Sequence, residues 1–287
     1  MHQLEIKFSS RVLITKIQVL VLLPEAMREN GEKLKVLWLL HGASEDCRTW
    51  VEGAGILGLM RQHPDFMVVM PSAQNCDYAN QFQYSNGYDF PKFFFEELMP
   101  FVHSALPASN EPADNYISGY SMGGAGALLL GLKKPELFSA VYPMGASARR
   151  SDFLLPYAAM SGAEFRDYAW ENRKEFPTEY GLPSAGITYK EINMIAKYRT
   201  VRDYIASDEC TTERALELIA GGRLPDIHFI CGSEDDCCAD VARFIGVVRN
   251  EGIGNDHVDC VVLPGIRHNG GAGETLKELM RQLSEQK

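Results

Sequence analysis

The 287-residue sequence predicts an α/β fold: a mostly parallel central sheet flanked by helices. Three observations point there. Almost uniformly apolar runs of strand length, such as residues 34–40 and 66–70, recur along the chain, and a strand apolar at nearly every position is one buried on both faces. These runs alternate with segments of helical periodicity, the pattern of a sheet with crossover helices. Finally, the run 115–119 passes through a glycine-flanked serine into a small-residue helix, a sharp strand-to-helix turn.

The elements follow in order. Residues 14–23 read as a strand rich in Val, Ile and Leu, closed by Pro24. A polar turn at 25–33 leads to the apolar strand 34–40, which ends in His41-Gly42-Ala43. A helix over 54–62 precedes the strand 66–70, stopped by Pro71. The stretch 72–90, with Tyr78, Phe82, Tyr84, Tyr88 and Phe90, reads as a loop near a site. Phe94, Leu98, Phe101 and Val102 place a helix at 91–105. The strand 115–119, its helix 122–133 and a strand at 138–144 come next. Residues 147–222 then break the rhythm. They carry Phe153, Leu154, Tyr157, Phe165, Tyr168, Trp170, Phe176 and Tyr180, and are expected to form a helical insertion at the sheet's carboxyl edge, one helix of it opening at Thr211. Strands at 227–231 and 258–263 and helices at 238–251 and 272–285 complete one domain spanning 1–287.

Composition bounds the function. The chain is 46% hydrophobic and 23% charged with a net charge of −10, which argues against nucleic acid and anionic membrane surfaces as partners. The seven cysteines show no metal-ligand spacing; they read as free thiols in a reducing, cytoplasmic setting. Cys237-Cys238 reads as helix-start packing. No apolar stretch is long enough to span a bilayer, and no phosphate-binding glycine loop sits on a strand–helix turn.

Gly119-Tyr120-Ser121-Met122-Gly123 fits the G-x-S-x-G elbow, in which a serine is held at a strained turn with its hydroxyl exposed. A serine hydroxyl is a weak nucleophile and needs a base, itself oriented by an acid. In the arrangement that accompanies such an elbow the acid and then the histidine follow the serine in chain order. Asp235, just past the 227–231 strand, is the candidate acid, with Glu234, Asp236 and Asp240 as competitors. His268, just past the last strand, is the candidate base. His257 and His228 lie before or inside strands, and His2, His63 and His103 precede the strands that would have to present them. Backbone N–H groups of Met122 and of Ala43 are the candidate oxyanion donors, with His41 bracing the loop that carries Ala43.

With these pieces in place the chain resembles the Putative esterase family: esterase D and S-formylglutathione hydrolases, tributyrin-type esterases, and feruloyl and acetylxylan esterases. The matching segments are Leu39-Leu40-His41-Gly42-Ala43 with Trp50 shortly after, Met70-Pro71, Glu96-Glu97-Leu98 before Pro100, Gly119-Tyr120-Ser121-Met122-Gly123-Gly124, Cys231-Gly232-Ser233-Glu234-Asp235, and Pro264-Gly265 with His268. The resemblance implies the α/β-hydrolase fold, with Ser121, Asp235 and His268 as catalytic residues and Trp50 as a substrate-pocket candidate. It further implies action on short-chain acyl esters, acetyl esters of sugars among them, without a metal or organic cofactor, and a homo-oligomer. A thioesterase of the S-formylglutathione type is the alternative, and a non-catalytic hydrolase-fold protein the competing class. Family members often carry an aromatic or aliphatic pair after the acid, where this chain has Asp236-Cys237-Cys238.

Overall fold

A strand apolar on both faces must be covered on both, and the sheet meets that demand with two separate cores. The computed structural model describes residues 1–25, 33–81, 88–149, 151–172 and 189–285. The strands are β1 (His2–Ser10), β2 (Thr15–Leu23), β3 (Lys35–Leu40), β4 (Phe66–Pro71), β5 (Asn115–Tyr120), β6 (Ala140–Met144), β7 (Asp226–Glu234) and β8 (Val258–Arg267). They form one sheet in the order β1-β2-β4-β3-β5-β6-β7-β8. β1 and β2 pair antiparallel, as do β2 and β4, and every pairing from β4 to β8 is parallel. Alternate residues serve alternate faces. Val36, Trp38 and Leu40 of β3 join Val69, Ile117, Val141 and Phe229 on one side, while Leu37 and Leu39 join Val68, Tyr116, Tyr142 and Ile230 on the other.

The helices are α1 (Thr49–Glu52), α2 (Ile56–Met60), α3 (Phe90–Phe93), α4 (Met99–Ala105), α5 (Met122–Lys133), α6 (Gly162–Glu171), α7 (Tyr189–Ile195), α8 (Val201–Ile205), α9 (Thr211–Ala220), α10 (Cys237–Asn250) and α11 (Ala272–Glu285). Leu276, Leu279, Met280 and Leu283 of α11 seal the second core. Leu128, Leu130 and Leu132 of α5 enter the first. The opposite side of α5 is apolar too, and a helix that is apolar all round must be buried all round. Its Leu129 packs into a third cluster with Leu154, Phe165, Ile195, Val201 and Tyr204, from the helical segments between β6 and β7, and with Ala79. Those segments are also tied down by charge. The buried Arg149 donates from Nη1 to the Glu209 carbonyl (3.2 Å) and from Nη2 to the Asp77 carbonyl (3.4 Å), and Lys197 pairs with Glu209.

Two local readings are revised. The strand expected from Ile14 begins one residue later, because Ile14 is the φ +54° turn residue of the β1–β2 hairpin and is 73% exposed. The helix expected at 91–105 is α3 and α4 joined by a π turn over Phe94–Leu98. Pro100 has no N–H to offer the Glu96 carbonyl, so the regular ladder cannot continue there. The 25–33 turn, Phe82, Tyr84, Phe176 and Tyr180 lie wholly or largely outside the described residues.

The strand order reverses at β3: the chain runs from β3 outward to β4, then returns to β5 on its other side. Ligands in open α/β sheets bind beyond the strand carboxyl ends at such a switch point. His41-Gly42-Ala43 and Ser121 both lie there.

Candidate active site

Ser121 sits between β5 and α5 at φ 55° and ψ −117°, a backbone conformation that costs a non-glycine residue about 1–3 kcal/mol. It is held by its N–H donating to the Met144 carbonyl (2.9 Å) and by its own carbonyl accepting from Ala125 N–H (3.0 Å). The flanking glycines are there for space. A Cβ on Gly123 would lie 2.2 Å from the Leu40 carbonyl oxygen, and one on Gly119 would lie 2.5 Å from the Gly123 carbonyl. The elbow is therefore pressed against the carboxyl end of β3, which brings the Ala43 loop beside it.

His268 follows β8. Its Nε2 lies 2.8 Å from Ser121 Oγ, and its Nδ1 lies 3.0 Å from each carboxylate oxygen of Asp235. Asp235 directly follows β7 and is 5% exposed. Its Oδ1 accepts the Cys237 N–H (2.8 Å), and its backbone is turned by Asp235 N–H to Gly232 O (3.1 Å) and Cys238 N–H to Asp235 O (3.0 Å). Gly145, at φ +50°, leaves the room this takes, since a Cβ there would lie 3.1 Å from Asp235 Oδ2.

The electrostatics agree with the geometry. Burial pushes the Asp235 carboxyl up, but the hydrogen bond and charge of His268 and the Cys237 N–H outweigh it, leaving the pKa below the ordinary value. The hydrogen bond to Asp235 raises His268, against burial, which lowers it. Two of the three competing carboxylates are engaged elsewhere: Glu234 with Arg267 (2.7 Å) and Asp240 with Arg243 (2.5 Å). Three of the competing histidines are engaged as well: His257 with Asp226, His228 with Asp259, and His103 with Asn115.

His41 is fully buried, and burial lowers its pKa. Its Nε2 accepts the Ala73 N–H (2.8 Å), so the proton is on Nδ1, which donates to the Gly42 carbonyl (2.7 Å). It is a neutral brace at the end of β3. Ala43 follows that strand and Met122 opens α5. Among the described residues no acceptor takes the Ala43 N–H. Trp50 is placed differently from expectation. It is 1% exposed in the core with Leu20, Met70 and Leu279, and its indole N–H has no partner among the described residues. Buried to that degree, it has no surface to offer a ligand.

Two neighbours of the histidine are not among the site residues expected from the sequence. Tyr120, the variable residue before the serine, donates its hydroxyl to the His268 carbonyl and stacks its ring on the imidazole (5.3 Å, 28°). Only the fold joins residues 148 positions apart, so no local signal marks it. Cys237 opens α10, as helix-start packing requires, but its Sγ also lies 4.0 Å from His268 Nδ1. Asp235, Cys237 and His268 form a group whose ligand atoms all lie within 4.8 Å of one another.

The arrangement can move a proton from a serine hydroxyl onto an imidazole whose resulting charge a buried carboxylate faces. The known proteins to which the chain is similar include esterases and other serine hydrolases. Residues 10–184 match the family described as "Putative esterase", a span that contains the elbow and ends before Asp235 and His268. The acetyl esterase of Caldicellulosiruptor saccharolyticus is 26% identical over 259 residues, covering 87% of each chain. Among solved structures, the fluorophosphonate-binding serine hydrolase FphF of Staphylococcus aureus superposes with a TM-score of 0.74 at 20% identity, covering 98% of both chains. The S-formylglutathione hydrolase FrmB of the same organism gives 0.72 at 20% identity, covering 99% of both. The chain belongs to the Putative esterase family and is an ester-hydrolysing enzyme of the α/β-hydrolase fold.

Proposed function

We propose that the chain is a serine carboxylesterase that cleaves short-chain acyl esters, acetyl esters of sugars among them, through an acyl-enzyme on Ser121. The observation that carries this is the hydrogen-bonded series Ser121 Oγ–His268 Nε2 (2.8 Å) and His268 Nδ1–Asp235 (3.0 Å) on the elbow. Ser121 Oγ attacks the ester carbonyl while His268 Nε2 takes its proton. Asp235 keeps the imidazole in the Nδ1–H tautomer and faces the charge it gains. The N–H groups of Ala43 and Met122 receive the oxyanion; each such donor contributes about 10²–10³ in kcat. His268 then returns the proton to the leaving alcohol, and water activated by the same nitrogen releases the acid.

The acetyl preference is supported by the acetyl esterase relative. The helical segments between β6 and β7 pack on α5, and in this reading they form an insertion that walls the acyl pocket. The test has two arms. A fluorophosphonate probe should label the wild type and not Ser121→Ala. A panel of p-nitrophenyl esters, acetylated sugars and S-formylglutathione should show turnover highest for acetyl esters. A thioester ranking first would move the substrate to the S-formylglutathione class without touching the series of residues.

A further inference from the structure

The carboxylate–imidazole pair of the site carries a third donor that ester hydrolysis does not use. Cys237 Sγ stands 4.0 Å from the same Nδ1 that faces Asp235, and the ligand atoms of all three residues fall within 4.8 Å. In a tetrahedral zinc site with one sulfur, one nitrogen and one oxygen, the S···N edge is about 3.6 Å and the N···O edge about 3.3 Å, from metal–ligand distances of roughly 2.0–2.3 Å. The structure holds these two pairs at 4.0 Å and 3.0 Å, each within a few tenths of an ångström of its edge; Asp235, whose two oxygens both face Nδ1, would draw back to admit the ion. The His268 side chain is 35% exposed, while the Asp235 side chain behind it is 1% exposed. A thiolate, an imidazole and a carboxylate form a donor set that suits zinc, with water in the fourth position.

We propose that Asp235, Cys237 and His268 form an inhibitory zinc site, so that metal binding and ester hydrolysis exclude each other. Three bonds form, Zn–Sγ of Cys237, Zn–Nδ1 of His268 and Zn–O of Asp235, and they replace waters of the aqueous ion. The Cys237 thiol gives its proton to solvent. The His268 proton leaves Nδ1 and is carried on Nε2. Nε2 then points an N–H at Ser121 Oγ and can no longer accept the serine proton, and Asp235 is drawn to the metal. The inhibition rests on the reading of His268 as the base; the binding site itself does not.

The test uses the whole protein and zinc chloride, with cobalt(II) as a spectroscopic substitute. Zinc should inhibit the wild type, and EDTA should restore it. Cys237→Ala, read against its own metal-free rate, should need about tenfold or more zinc for half-inhibition; loss of even an outer partner of a metal ligand costs 10–100-fold in affinity. Cys238→Ala and Cys260→Ala should behave as wild type. Ser121→Ala should bind one cobalt with a thiolate-to-metal charge-transfer band that is lost in Ser121→Ala/Cys237→Ala. If Cys237→Ala is inhibited at the wild-type concentration, or the band persists without Cys237, the site is wrong. If the band behaves as expected but zinc leaves wild-type hydrolysis untouched, the metal site stands and the assignment of His268 as base falls.

Discussion

Replacing Asp235 by Asn changes one atom and separates orientation from everything else in the site. The carboxylate now faces two donors, the His268 Nδ1–H at 3.0 Å and the Cys237 N–H at 2.8 Å. A carboxamide offers one oxygen and one NH2. With the oxygen on Cys237, the NH2 faces His268, and the imidazole satisfies it by moving its proton to Nε2. Nε2 then donates toward Ser121 and cannot act as base. With the amide turned over, the NH2 opposes the Cys237 N–H, leaving a buried donor unmet at about 1–3 kcal/mol. The first arrangement should win, and a wrong tautomer of this kind lowers kcat about 10⁴-fold, or about 5.4 kcal/mol of transition-state stabilisation. Glu234→Gln should matter little, because its partner Arg267 is an exposed surface pair, and such pairs contribute 0–1 kcal/mol. Asp236→Asn should matter equally little. Initial rates on p-nitrophenyl acetate, with circular dichroism to confirm the fold, measure all three. An Asp235→Asn enzyme retaining more than a tenth of wild-type kcat, or an Asp236→Asn enzyme that loses it, would refute the reasoning.

Further outcomes follow from the same geometry. His268 must be neutral to act as base and its pKa is raised by Asp235, so kcat/KM should rise with pH through a midpoint above the ordinary 6.5; Asp235, whose pKa is lowered, stays ionised across that range and adds no second step. A midpoint below 6.5 in a pH–rate profile would contradict this. Tyr120→Phe removes the hydroxyl that holds the His268 carbonyl; one neutral hydrogen bond is about 0.5–1.5 kcal/mol, so kcat should fall by about tenfold or less, with the probe still labelling Ser121. Phe153→Ala and Tyr157→Ala, in the segment between β6 and β7, should shift the ratio of acetyl to hexanoyl ester turnover without slowing labelling, and an unchanged ratio would remove that segment from the pocket wall. Gly123→Ala should abolish folded expression or lower the denaturation midpoint, since its Cβ would meet the Leu40 carbonyl oxygen at 2.2 Å; a normal midpoint would show that the elbow has slack.

What was legible in the sequence follows physical range. The sheet was readable because β3 and β4 are apolar enough to demand cover on both faces, and the elbow because its glycines answer a steric need local to five residues. Asp235 and His268 were readable because each lies one residue beyond a strand whose apolar run is plain. What the sequence could not carry was pairing across distance. Nothing local marks Tyr120 as the support of a histidine 148 positions later, or Cys237 as that histidine's neighbour. The π turn was hidden because Pro100 breaks a hydrogen bond without breaking the apolar periodicity. Trp50 came with the family resemblance, and a matching segment does not say which side of the sheet a ring enters; packing places it in the core.

The most direct measurement is acid quenching during turnover of an acetyl ester, followed by peptide mapping. The account predicts that the acetyl group is found on Ser121 in wild type and on no residue in Ser121→Ala, which also fails to turn over. Acetyl on a different residue, or steady turnover by Ser121→Ala, would contradict it.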